Sequence, residues 1–177
     1  MQIEKTGLAQ QSILKEENGY QFIDAYKSRF PDPEEAIDIQ QIGKLFFSGG
    51  PKWLDRLFAL RNRIVKIFGL KVPDKNAQRE LQLQNFRCEP GEGMGLFQVI
   101  QLTENEVVLG EDDQHLDFRV SLLLEKGNLN DKVLTISTLV KFHNRMGHLY
   151  FIPVRPFHRF IVPAMLKGII RNLKEGK

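Results

Sequence analysis

The chain is expected to fold as an α+β domain, an antiparallel sheet covered by a long C-terminal helix. Three observations lead there. Between Phe97 and Asn144, four segments with strand-like patterning are joined by the short turns TEN, EDDQ and KGNLND, which makes an antiparallel meander the natural outcome. From Leu149 to Leu173, apolar residues recur at helical spacing. A sheet with one apolar face needs such a helix to cover it.

At 177 residues the chain is long enough for one domain with a proper core and short for two. The domain is read as spanning 1–177, with a polar N-terminal extension over 1–19 and the core over 20–173. Hydrophobic residues at 42% and charged residues at 27% exclude disordered and fibrous classes. The single cysteine, Cys88, cannot close an internal disulfide, which suits a reducing compartment. MQIEKTGLAQQ lacks the apolar run of a secretion signal. FIPVRPFHRFIVPAML is broken by Arg155, His158, Arg159 and three prolines, so no membrane span is expected. The expected location is the cytoplasm.

The net charge of +3 conceals a split, because Lys141 to Lys177 contains eight Lys/Arg and one acid, Glu175. A basic segment of this kind can serve nucleic acid or anionic lipid. Its commoner meaning is a basic element lying on acidic neighbours. No motif of a nucleic-acid reader accompanies it, and nucleic acid is not expected as a partner.

In chain order, YQFIDAYKSRF places Tyr20, Phe22 and Tyr26 at even spacing, the pattern of a first strand over 20–30. FPDPEE then supplies Asp32 as N-cap, Pro33 at the first helical position and Glu34 and Glu35 in the first turn. That helix should run to Phe47. A second helix follows in PKWLDRLFALRNRIVKIFGL, where Trp53, Leu57, Leu60, Ile64 and Ile67 recur at helical steps and Gly69 stops it. Lys52, Arg56, Arg63 and Lys66 share one side of it, and Arg61 falls inside the apolar face. Over 71–96, LQLQNFRCE is read as a strand and PGEGMG as a connection.

The last two strands carry the most information. Leu116, Phe118, Val120, Leu122 and Leu124 share one face; His115, Asp117, Arg119 and Ser121 share the other, expected to face solvent. The KGNLND turn allows Leu116 opposite Phe142, Phe118 opposite Val140 and Leu122 opposite Ile136, since a one-residue slip would bury the charges. The same register puts Asp117 opposite Lys141 and His115 opposite His143.

GEDDQHLDFRV, residues 110–120, concentrates four acids, a histidine and an arginine. His115, His143 and Asp112 or Asp113 would suffice in number for zinc, but the spacing matches no metal motif. The stretch is read as a turn entering a strand, with no metal and no cofactor. In the C-terminal helix, Pro153, Pro156 and Pro163 each remove a donor, so either one long helix bends near Pro156 or two helices meet there. Leu149, Ile152, Phe157, Phe160, Ile161, Ala164, Met165, Ile169 and Leu173 form its expected buried face.

VVLGEDDQHLDFRVSLLL, the HN after the last strand, HLYFIPVRPFHRFIVPAML and WLDRLFALRNRIVKIFGL together resemble the bacterial proteins grouped as domain of unknown function 2867. The resemblance spans most of 20–173. That family in turn resembles the START-like, Bet v 1-like (SRPBCC) superfamily, whose helix-grip fold wraps a curved antiparallel sheet around a long C-terminal helix. No activity or catalytic residue comes with it.

The resemblance implies an apolar cavity between sheet and helix for a small apolar or amphipathic molecule. Val99, Phe118, Val120, Ile136, Val140, Phe142, Phe160 and Met165 would line it, and Arg61, Thr138 and His158 would anchor a carboxylate or hydroxyl. An enzyme using the same cavity would take His158 as acid/base. However, no Ser–His–Asp order, P-loop or dinucleotide-binding glycine pattern is present, and the expectation is a non-enzyme. A third reading is an interaction protein using the basic helix face or the basic C-terminus. A weak homodimer is compatible with all three.

Overall fold

A computed structural model describes residues 1–48, 83–128 and 130–176. The expected helix over 51–69, with Arg61 and the Lys52/Arg56/Arg63/Lys66 stripe, lies outside them. The described strands are β1 (Ile3–Thr6), β2 (Phe22–Pro31), β3 (Gly93–Met94), β4 (Phe97–Leu102), β5 (Glu106–Asp112), β6 (Leu116–Lys126) and β7 (Asp131–Phe142). The described helices are α1 (Ile39–Ser48), α2 (Arg145–Lys174) and a short 3₁₀ turn at Ile13–Lys15. The strands form one curved antiparallel sheet in the order β1-β2-β7-β6-β5-β4-β3.

The register of β6 on β7 is the one the apolar faces dictate: Leu116↔Phe142, Phe118↔Val140 and Leu122↔Ile136. Even-numbered residues of β2, β6 and β7 point to α1 and α2. There they build the main core with Ile42, Phe46, Met165, Leu166, Ile169 and Ile170. A second apolar cluster, Leu116, Val140, Tyr150 and Phe151, forms under the start of α2.

The opposite face does not look at solvent. Leu14 packs on Val108 and Leu139, with Leu8, Ile13 and Tyr20 beside them, and Ser121, Ser137 and Thr135 are buried. Residues 1–20 therefore supply an edge strand and a cover for the sheet's far side. Small hydroxyl residues look polar in a sequence, but they pack closely and hydrogen-bond locally, so they tolerate such cover.

Two further expectations are corrected. Asp38, not Asp32, caps α1: its carboxylate accepts from the Gln41 N–H at 2.7 Å and its carbonyl from the Ile42 N–H at 3.2 Å. Asp32 instead closes the preceding turn, accepting from the Ala36 and Ile37 N–H groups and pairing with Lys132 at 2.7 Å. Burial opposes its charge, yet Lys132 and those N–H groups prevail and hold its pKa below the usual value. The expected strand in LQLQNFRCE is, over its described part, a helical turn at 83–85 followed by irregular chain. Cys88 there has φ +64° and a buried side chain, which a strand cannot accommodate.

The C-terminal region is one continuous helix with all three prolines inside it. Pro153, Pro156 and Pro163 free the carbonyls of Leu149, Ile152 and Arg159. All three of those residues are exposed, so water can take over the lost bonds. The buried face is rotated from the expected one: Tyr150, Phe151, Val162, Met165, Leu166, Ile169 and Ile170 point inward. Leu149, Ile152, Phe157 and Phe160 stand exposed.

A candidate site between the sheet and the C-terminal helix

The turn and the helix start are one joint. The β5–β6 turn runs between Asp112 and Leu116. Asn144 caps α2 through the Gly147 N–H at 3.1 Å and donates its amide to the Gln114 carbonyl at 3.1 Å. The charged groups in GEDDQHLDFRV find local partners, although Arg119 Nε is buried with no hydrogen-bond partner among the described residues. Arg119 pairs with Asp112 at 2.6 Å, Asp117 with His143 at 2.8 Å, and His115 Nδ1 lies 3.0 Å from the Asn144 amide nitrogen. Although Asp117 and Lys141 are register partners, the Asp117 carboxylate contacts the His143 ring instead. Among the described residues no group of three or more His, Cys, Asp or Glu could hold a metal.

The helix-facing side of the sheet is more informative. Three rows cross β2, β7 and β6: Phe22–Val140–Phe118, Asp24–Thr138–Val120 and Tyr26–Ile136–Leu122. The middle row sets a carboxylate and a hydroxyl side by side between two apolar rows. Asp24 is 6% exposed and Thr138 3% exposed. From β1, Lys5 reaches Asp24 at 3.1 Å, so the buried carboxylate has one counter-charge at the sheet edge.

His158 descends on this row from α2. Its ring lies 5.7 Å from that of Phe22 and 5.6 Å from that of Phe151, centroid to centroid. Its Nδ1 is fully buried and has no hydrogen-bond partner among the described residues. Burial pushes the imidazole pKa below its ordinary 6.5, while the negative Asp24 pulls the other way and loses. The neutral ring is therefore the resident form at neutral pH. Burial, with Asp24 adding to it, also raises the Tyr26 phenol above 10. Burial drives the Cys88 thiol up to about 11, so it stays protonated and is no nucleophile at neutral pH.

A pH dependence follows. Below about 6.5, the ordinary histidine value, unfolded chains bind a proton at residue 158 and the native state does not, so stability falls as pH falls toward the depressed native value. Urea denaturation at stepped pH should show wild type losing stability through that window relative to His158→Phe. Parallel pH curves would contradict the desolvated ring.

The expected site residues divide by position. Val99, Val120, Ile136 and Met165 belong to the main core, and Val140 to the cluster under α2, where Phe142 packs against it. Phe118 touches both. Thr138 lies in the polar row, and His158 lies against Phe22 and Phe151 and near Asp24. Phe160 is 62% exposed. Two residues on a helix stand about 200° apart, so it faces away from the row that His158 faces. Arg61 lies outside the described residues. Open clefts occur elsewhere, one at the Asp32–Lys132 end of β2 and β7 and one beside Gly7 to Gln11.

Asp24 was missed by the sequence reading. Its signal was available: it shares the parity of Phe22 and Tyr26 in YQFIDAYKSRF, which places a carboxylate on an apolar face.

Residues 17–165 match the family described as Protein of unknown function (DUF2867). The chain belongs to this family. The match includes Asp24, Thr138, the Asn144–Gly147 joint and His158, and it leaves out β1 and the cover at Leu14. No curated protein and no solved structure matches the chain. No helix among the described residues is long and apolar enough to cross a membrane.

Proposed function

We propose that this protein binds a small apolar or amphipathic molecule between the sheet and α2, in the manner of a START-like helix-grip domain. One observation carries the reading: a neutral, half-buried imidazole whose buried Nδ1 lacks a partner, set near Asp24 in the row that Asp24 and Thr138 share. An unmet buried polar atom costs about 1–3 kcal/mol. A ligand hydroxyl or carboxyl bonded to Nδ1 removes that penalty, while its apolar body packs against Phe22 and Phe151. The curved antiparallel sheet and the long C-terminal helix agree with the helix-grip arrangement.

A thermal-shift screen with fatty acids, sterols and aromatic acids tests this. At least one class should raise the melting temperature, since ligand at about a hundred times Kd stabilises by about 2.7 kcal/mol. His158→Phe keeps the ring contacts and deletes Nδ1, and should lose most of that shift. An unchanged shift in the variant would place the ligand elsewhere.

A further inference from the structure

The outer side of α2 carries a further unexplained feature. Met146, Leu149, Ile152, Phe157 and Phe160 are 39%, 51%, 66%, 39% and 62% exposed. At 100° per residue they fall on one side of the helix, and the exposed Pro153 and Pro156 fill the spaces between them. The stripe runs about 21 Å along the axis, fourteen residues at 1.5 Å each. Large apolar groups left contiguous at a surface mark an interaction site.

Its electrostatic setting selects the partner. Arg155 and Arg159 are exposed along one edge of the stripe and Arg145 at its N-terminal end. Arg155 lies over the Phe22 ring, and Arg159 lies over the Phe160 ring and donates to the Pro156 carbonyl at 3.3 Å. None of the three pairs with a carboxylate among the described residues. No Asp or Glu occurs between Asp131 and Glu175, so α2 contributes no side-chain acid to repel an anion, and β7 contributes only Asp131 at its far end. We propose that this stripe, edged by Arg145, Arg155 and Arg159, seats the protein on an anionic phospholipid surface. Phe157 and Phe160 enter the headgroup boundary while the arginines stay with the phosphates. The helix lies on the surface and does not cross it.

This goes beyond ligand binding and stands without it, because the stripe faces away from His158. The full-length chain is mixed with vesicles of phosphatidylcholine alone, or of two parts phosphatidylcholine to one part phosphatidylserine, and sedimented. Binding should require phosphatidylserine and weaken with salt. Arg155→Glu with Arg159→Glu should reduce it by at least about tenfold, as should Phe157→Ser with Phe160→Ser. Far-UV circular dichroism should show both variants folded, since all four side chains are exposed. Absence of binding at low salt overturns the proposal. So does equal binding to both vesicle types, or binding indifferent to the phenylalanines. A dimer dissolved by Phe160→Ser, with no vesicle binding, assigns the stripe to a second copy and also overturns it.

Discussion

Glu106→Ala is expected to destabilise the protein by about 4 kcal/mol and to free the N-terminal segment from the sheet. Glu106 is 1% exposed, on the sheet face away from α2. Its carboxylate accepts from the Ser12 hydroxyl at 2.6 Å, the Ile13 N–H at 2.8 Å and the Ser121 hydroxyl. Deleting it leaves three donors short of an acceptor in a closed site, at about 1–3 kcal/mol for each group left unsatisfied. Because Ser12 and Ile13 start the turn that seats Leu14, the loss passes to the whole cover. Glu106→Gln keeps an acceptor and should cost less, about 1–2 kcal/mol, since bonds to a charged group are the stronger ones. Urea denaturation measures the stability, and hydrogen exchange over residues 8–20 reports the cover. A loss under about 1 kcal/mol with protection intact would contradict the assigned role.

Gly147→Ala is the second large effect, and its sign opposes helix propensity. Alanine is the better helix former by about 1 kcal/mol. Yet a Cβ at residue 147 would lie 2.2 Å from the His115 carbonyl oxygen and 3.0 Å from its carbon. Both belong to the backbone of the β5–β6 turn, so no side chain can swing aside. The start of α2 must lift, straining the Asn144 cap and the cluster of Phe151 on Phe22 and Phe142. Overpacking of this kind costs about 1–3 kcal/mol, and here backbone meets backbone. A net loss of about 2 kcal/mol is expected after the propensity gain. Gly7→Ala, whose Cβ meets nothing within 4 Å, should be close to neutral. Stabilisation by Gly147→Ala would mean that the helix start does not press on the turn.

The β6–β7 pairing was legible residue by residue because alternation over eleven and twelve residues leaves one register that buries the apolar side. The far side of the sheet was not, because its cover is a polar-looking segment with no regular element longer than four residues. Nothing local in Glu106 announces burial; two of its three partners lie 94 and 93 residues away at Ser12 and Ile13. The helix face was misplaced for a similar reason. Leu149, Ile152 and Phe160 look like core in the sequence, and only the packing of Tyr150, Phe151 and His158 against β2 fixes the rotation. Thr138 and His158 were both chosen from sequence, and the fold puts His158 beside Asp24, which adjoins Thr138. The choice of Phe160 came from spacing alone, and spacing does not say which of two apolar faces is buried.

The most direct test of a ligand held at His158 is native mass spectrometry of freshly purified protein, wild type beside His158→Phe, followed by denaturing extraction. The account predicts a stoichiometric added mass on wild type that leaves on denaturation, carries a hydroxyl or carboxyl on an apolar body, and is absent or much reduced on the variant. A clean unliganded mass for both, unchanged after incubation with fatty acids, sterols and aromatic acids, would contradict it. The rows around Thr138 would then be core alone.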